Sequence, residues 1–384
     1  MASFDPQSVL DALSARADGR AALALRGARV AVVGGFVRDS LLGRDPRELD
    51  LVIEGDLRSI ALQLGGETRP HPQFLAVHVA NDGWTMEITH ARSERYDRPG
   101  ALPSVVPATI EDDLPRRDFS VNAIAVTLDG GEVLAPAGAL EDLARGRLRV
   151  LHDASFEDDP TRVMRLARYV HRTGFSVDRD TSRLAAAASL DAVSGARIGA
   201  ELVQIVGEPD PLAVLADLQT KLPLAVQRAL TQRALDLAPE DADRGLLTLA
   251  ASIRSGAADQ AWIESLELGA YARDVLSAAS SAPALARALA AASLPSRMQA
   301  ILQGVPVEVV ALAGAYGSAD AVERWLTDLR HVALEIGGEE LLAAGLPEGP
   351  ELGARLERTL ARKLDGLVAP GREAELASAL EEER

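Results

Sequence analysis

Apolar positions in the first 130 or so residues change period several times. A first helix is expected before residue 28. Residues 28–35, ARVAVVGG, then form a short apolar run closed by two glycines, which predicts a buried strand ending in a tight turn. FVRDSLLG follows with one or two helical turns closed by Gly43. LDLVIEGD (49–56) predicts a second strand, and DLRSIALQLGG (56–66) an amphipathic helix with Asp56 as its cap. FLAVHVANDGWTMEITHAR (74–92) alternates with period two around Asn-Asp-Gly, a hairpin signal. The Pro- and Gly-punctuated stretch YDRPGALPSVVP (96–107) predicts a loop of a length that is often functional.

From DDPTRVMRLARYVHRTGF (158–175) onward the pattern is helical, with breaks near Gly207 to Pro211, Pro239, Pro283, Pro295 and Gly345 to Pro350. No fixed-period repeat is present, and the closing ALEEER reads as a frayed, solvated helix end. Composition supports a helix-rich second half: 47% of the residues are hydrophobic and only 3% aromatic, with Ala and Leu crowded there. At 384 residues, two or more domains are expected.

A net charge of -17 argues against a generally basic nucleic-acid coat but leaves room for a local basic track. Lysine occurs only at Lys221 and Lys363; the arginines suit bidentate phosphate contacts, and a coding-composition bias gives the same count. With no cysteine, disulfides and thiolate metal sites are excluded. No basic leader with an apolar core opens the sequence and no apolar run reaches membrane-spanning length, so no membrane association and a cytoplasmic location are expected.

The chemistry is concentrated in GGFVRDSLLGRDPRELDLVIEGD (34–56). Gly34 and Gly35, between a strand and a helix, could hold a triphosphate on their backbone N–H groups, or simply form a tight turn. Glu48 and Asp50 are two apart on an expected strand, so both project from one face at a Cα spacing of about 7 Å. Paired acids of this kind suit Mg²⁺, which takes carboxylate and phosphate oxygens together; two solvated acids on an edge strand would look the same. Glu87, in TMEIT, is a third candidate acid or an exposed position on an alternating strand.

Four separated segments match, in order, the class II tRNA nucleotidyltransferase family, the CCA-adding enzymes and the related bacterial poly(A) polymerases. GGFVRDSLLGRDPRELDLVIEG resembles its metal-binding motif and RRDFSVNAIAV (116–126) its ribose-selecting motif. ALEDLARGRLRVLH (139–152) resembles its hinge and DDPTRVMRLARYVHRTGF its nucleotide-templating motif. A fainter match is ARIGAELVQIV (196–206), where Ala196-Arg197 stands in place of the family's usual Glu-Arg.

The resemblance implies an α/β head of polymerase-beta-like nucleotidyltransferase fold over residues 1–150, carrying the metal and triphosphate site. A helical neck would follow over 151–206, reading the nucleotide base, and then a helical body and tail over 207–384 that bind tRNA. It assigns Glu48, Asp50 and Glu87 as catalytic acids, with Glu48 and Asp50 as ligands of Mg²⁺. Gly34, Gly35, Arg38, Arg117, Asp118 and Asn122 would contact the incoming nucleotide. An Asp accepting the 2′-OH proton is a sensible way to prefer ribonucleotides, although a helix-start ion pair is the plain alternative for Asp118.

Asp159 and Arg162, three apart at a helix start, would replace a nucleic-acid template by reading the base edges of C and A. Arg162 is expected to be exposed there. Arg162, Arg165, Arg168 and Arg172 form a stripe, either a solvated face or a holder of triphosphate or RNA, and the resemblance assigns Arg165 and Arg168 to nucleotide binding.

The implied activity is addition of A, C or both from ATP and CTP to the tRNA 3′ end, releasing pyrophosphate. The full-length loop YDRPGALP tilts this toward A-addition or complete CCA-addition. Two alternatives remain. A bacterial poly(A) polymerase usually carries a basic extension, whereas this sequence closes on EEER. A catalytically lapsed RNA- or nucleotide-binding relative is suggested by Glu48, where the family has Asp.

Overall fold

The computed structural model describes residues 4–254 and 257–381, and the side chains of all of these except 257 and 258. The chain forms two compact units, Met1–Glu201 and Leu202–Arg384.

In the first unit, helices α1 (Gln7–Ala15) and α2 (Ala17–Leu23) precede β1 (Arg29–Val33). β1 ends where Gly34 takes φ 78°, a left-handed value that a side chain would strain, and α3 (Gly35–Leu41) starts at once. β2 (Asp50–Glu54) runs antiparallel to β1, with Val33 opposite Asp50. The expected second strand is therefore present but starts at Asp50. Because β1 has already broken into the Gly34 turn, no ladder partner remains for Leu49 or Glu48, and Glu48 lies in the irregular segment before the strand.

Helix α4 (Leu57–Leu64) has the anticipated cap: the Asp56 carboxylate accepts from the Arg58 N–H at 3.1 Å. The hairpin is β4 (Ala76–Asn81) with β5 (Trp84–His90), and β5 lies parallel to β2. Preceding it, β3 (Glu67–His71) pairs with β4; its residues are all exposed and it contains Pro70, so it carries no apolar alternation and reads as an edge only in the structure.

The expected loop over 96–107 is shorter than its composition suggests. β6 (Arg92–Arg95) and β7 (Ser104–Pro107) pair antiparallel, which leaves residues 96–103 as the irregular tip. Helix α5 (Ile110–Asp113) follows, then β8 (Ala125–Thr127) and β9 (Val133–Leu134) complete a seven-stranded sheet in the order β3-β4-β5-β2-β1-β8-β9. Its core gathers Ala31, Val33, Val52, Ala91, Ile110, Leu114, Ala123 and Ala125, all at most 2% exposed.

Helix α6 (Ala139–Arg145) leads into β10 (Arg147–Leu148), and α7 (Ser155–Asp158) into α8 (Arg162–Thr173). β11 (Ser176–Val177) pairs with β10, a short parallel interruption of the expected all-helical stretch. α9 (Arg179–Ala187) and α10 (Gly195–Val206) follow.

The second unit is helical from Pro211–Leu218 to Arg372–Leu380. The expected breaks after Val206 and after Ala343 fall between helices, whereas Pro283 and Pro295 sit in first turns, where proline's missing N–H has no partner to lose. One core gathers Leu289, Leu302, Val310, Val322 and Trp325, and a smaller one Ile336, Leu341 and Ala379. Residues 382–384 of the acidic tail lie outside the described residues. Among the described residues no helix is long and apolar enough to cross a membrane.

Candidate active site

A cleft of about 350 Å³ opens in the first unit, walled by Gly34, Asp50, Arg117, Asp118, Asp159 and Arg162 among others. At one end, the Gly34 turn makes room. A side chain there would stand 3.8 Å from Asp50 Oδ2 and 3.9 Å from Arg117 Nη1, in the space between an acid and a guanidinium.

The pairing of β2 with β5 sets Asp50 directly beside Glu87, so both carboxylates share one sheet face. Crowding by protein atoms raises the Asp50 pKa, Glu87 raises it further, Arg117 opposes them and Glu48 adds to the rise; the carboxyl is pushed up to about 6. Asp50 nonetheless remains exposed along the cleft. Among the described residues no three His, Asp or Glu side chains close into a cage of their own. The donor set nevertheless fits Mg²⁺, which binds through one or two carboxylates and completes its shell with phosphate and water oxygens. Mutual repulsion of the acids is the term such an ion relieves.

The ribose-motif segment is held by buried charge. Asp113, 0% exposed, accepts from Arg117 Nη2 at 2.8 Å, Arg116 Nη2 at 2.7 Å and the Arg92 N–H at 3.1 Å. Asp118 is buried and accepts four hydrogen bonds: Arg165 Nε and Nη2 at 2.9 and 2.7 Å on Oδ2, and the Phe119 N–H and Asn122 Nδ2 at 2.8 and 3.1 Å on Oδ1. Burial works against its charge, but Arg165 outweighs that and holds the carboxyl down to about 2. The helix-start ion pair and the nucleotide contact, posed as alternatives from sequence, are thus not exclusive: Asp118 makes the ion pair and also lines the cleft.

Arg38 sits under the glycine turn with its side chain 2% exposed, donating to both oxygens of Asp39 and, at 2.7 Å, to Asn122 Oδ1. Its side chain reaches the cleft only through Asn122, which lines it. Arg168 is likewise buried, near Glu201, and neither arginine is on the cleft wall.

At the other end, the Asp159 Oδ1 accepts from the Thr161 N–H at 3.0 Å, Thr161 Oγ1 at 2.6 Å and Arg197 Nη2 at 2.6 Å, so Oδ2 stays outside the set. Arg197 also donates to the Gly100 carbonyl at 3.0 Å, tying the 96–103 tip to Asp159. The expectation of an exposed Arg162 is corrected: it is 5% exposed, with Nη1 donating to Ser155 Oγ and Nη2 to the Arg116 carbonyl, both at 2.6 Å. Three helix starts and turns converge there and cover it. Arg162→Ala is accordingly expected to lower stability by about 1–3 kcal/mol, because the Ser155 hydroxyl and Arg116 carbonyl lose their donors; a chemical-denaturation midpoint checks it.

Sequence reasoning missed Arg92, Glu94, Tyr96 and Arg116, which line the cleft as one network: Glu94 accepts from Arg116 Nη1 at 2.6 Å, Tyr96 Oη at 2.7 Å and Arg92 Nε at 3.1 Å. The signal for the first three was the alternation of charge in ARSERYDR, which the loop composition after it masked.

The seven-stranded head with an acid pair beside a glycine turn is that of a nucleotidyltransferase, and residues 30–149 match the family described as the Poly A polymerase head domain. A CC-adding tRNA nucleotidyltransferase from Deinococcus radiodurans is 33% identical over 88% of this chain and 86% of its own length. An A-adding tRNA nucleotidyltransferase from Geobacter sulfurreducens is 31% identical over 88% of this chain and 44% of its own. The chain spans less than half the length of the A-adding relatives it matches first. Among solved structures, the Thermotoga maritima CCA-adding enzyme complexed with tRNA superposes with a TM-score of 0.71 at 27% identity, covering 97% of this chain and 98% of that one. The protein belongs to the tRNA nucleotidyltransferase family.

Proposed function

We propose that the protein is a metal-dependent nucleotidyltransferase that adds A, C or both from ATP and CTP to the 3′ end of tRNA, releasing pyrophosphate. The observation that carries this reading is one cleft with the Asp50–Glu87 acid pair and Arg117 at one end and Asp159 and Arg162 at the other. Relatives named for A-addition and for CC-addition support the substrate class.

Mg²⁺ held by Glu48 and Asp50, with Glu87 beside Asp50 as the third acid, would balance the triphosphate and polarise the α-phosphate. Arg117, oriented by Asp113, faces the same space and neutralises phosphate charge. The free Oδ2 of Asp159 accepts from the exocyclic amine that C and A share. Each terminal nitrogen of Arg162 retains a second hydrogen for the ring acceptors. U and G present a carbonyl to Asp159, and two acceptors facing each other are rejected. The tRNA 3′-OH attacks in line and pyrophosphate leaves. A reaction on tRNA ends fits a cytoplasmic location.

Transcripts ending in -C, in -CC or without any CCA residue, incubated with labelled CTP and ATP, test the proposal. Stopping after defined C or A additions supports it; no incorporation on any of them overturns it. The match to a poly(A) polymerase head favours one second reading, which predicts open-ended A-tailing of RNAs that are not tRNA.

Glu48 supplies a further test. Glu48→Asp shortens the arm by one methylene, and since Glu48 lies outside the β2 ladder the irregular backbone there can adjust. Transfer is expected to be kept or raised; a loss on the order of a hundredfold would show that the segment is built around the longer side chain.

A further inference from the structure

We propose that Tyr169 is the positioning residue of the sugar subsite, its ring being the surface on which the arginines that hold Asp118 and Asn122 are both packed. The inference rests on the nucleotide-transfer reading above and extends it to a residue that touches neither phosphate nor base in that scheme.

Tyr169 lies on α8, 9% exposed at the cleft wall, with its ring edge-on to Phe119 at 5.9 Å and 84°. The guanidinium carbons of Arg38, Arg165, Arg168 and Arg172 stand 5.5, 5.8, 5.2 and 5.9 Å from the ring centroid. The arginine stripe seen in the sequence is therefore packed in part on an aromatic ring, while Arg162 and Arg165 also line the cleft. Three of its members wrap one aromatic ring, and Arg38 reaches the same ring from α3.

Two of these four arginines control the ribose-motif polar groups. Arg38 donates to Asn122 Oδ1, Asn122 donates to Asp118 Oδ1, and Arg165 donates twice to Asp118 Oδ2. The chain Arg38–Asn122–Asp118–Arg165 thus begins and ends on the Tyr169 ring. Four cations at one place repel, and the ring face together with the Asp118 and Glu201 carboxylates offsets that repulsion. Removing the ring takes away the surface on which both guanidiniums pack; they stay tethered to Asp39 and Asp118, and any shift in them passes directly to the Asn122 amide and the Asp118 carboxylate.

Asp118 already accepts four bonds, whereas Asn122 spends one Nδ2 hydrogen on Asp118 and keeps the other. A ribose hydroxyl meets a subsite with little slack. Such a subsite rejects the deoxy analogue because a polar group is then left unmatched, and it loses that discrimination when its members can drift.

The hydroxyl contributes little, since Arg165 Nη2 lies 3.4 Å from it, so the ring is the active part. The test compares ATP with 2′-deoxyATP in the presence of Mg²⁺, by calorimetric binding and by single-nucleotide incorporation. The variants are Tyr169→Phe, Tyr169→Leu and, to fill more of the volume, Tyr169→Met. Phe is expected to keep the ribo-to-deoxy preference within about threefold, and Leu and Met to reduce it by about tenfold or more, through weaker ribonucleotide binding. A merely structural role lowers the folded fraction equally for both nucleotides and cancels in the ratio.

An unchanged ratio in whichever of Leu or Met folds overturns the inference, as does a Phe variant that loses as much as they do. Wild-type protein that binds ATP but transfers nothing overturns the transfer reading alone, and the binding ratio then still decides the role of Tyr169. Wild-type protein that binds neither nucleotide overturns both.

Discussion

Asp50→Ala is expected to lower nucleotide incorporation by at least about a thousandfold while leaving the melting temperature unchanged or higher. The two halves of this result have one cause. Asp50 is crowded by protein and faces Glu87 and Glu48, which lift its carboxyl to about 6, above the unfolded value of about 3.9. A carboxyl raised in this way favours the native state only when protonated. Between about pH 4 and pH 6 stability falls as pH rises, and at neutral pH the ionised group opposes folding. Alanine removes that opposition along with the ligand. The stability difference between variant and wild type should vanish below about pH 4, where the carboxyl is protonated in both states. Thermal melts across pH 4 to 8, paired with incorporation assays, check both halves. Near wild-type transfer, or a marked fall in melting temperature, would remove Asp50 from the proposed site.

Asp142→Ala is expected to have the largest effect on stability, about 2–4 kcal/mol. Asp142 is 0% exposed; it accepts from Ser120 Oγ at 2.8 Å, Arg149 Nε at 2.6 Å and Arg147 Nε at 2.7 Å. It thereby fixes α6 to β10 and to the turn that carries Asn122. Alanine leaves the fully buried Ser120 hydroxyl without an acceptor. Arg147 and Arg149, 33% and 28% exposed, turn partly to water, which keeps the loss below that of a fully enclosed ion pair. Urea denaturation measures it, and a loss under about 1 kcal/mol would show that the arginines and Ser120 find other partners. Asp142→Asn, which keeps an acceptor, should lie between the two.

The head was legible where one residue type has one physical use. The apolar run 30–33, the Gly34 turn, the Asp56 cap and the Asn-Asp-Gly hairpin each appear in the structure as their sequence implies. What escaped was whatever depends on partners far along the chain. β3 has no apolar face to announce it, and β7 exists because β6 is there to pair with it. The arginines were legible as a stripe but not as a shell around Tyr169, since one of the four comes from α3. Arg162 read as exposed because helix starts usually are; Ser155 and Arg116 bury it from outside its own helix.

Parallel pairing of β2 with β5 also sets when the acid pair can exist. Asp50 and Glu87 are joined by a crossover that includes α4, β3 and β4, and β1 gains its second neighbour only when β8 is made. A nascent chain that has just released residues 34–56 therefore carries the glycine turn, Glu48 and Asp50, with neither Glu87 nor the Arg117 countercharge. Local contacts cannot assemble this site early, and non-local pairing slows folding. An excised peptide of residues 34–56 should hold no divalent cation more tightly than any short acidic segment, however much its motif resembles a self-contained module.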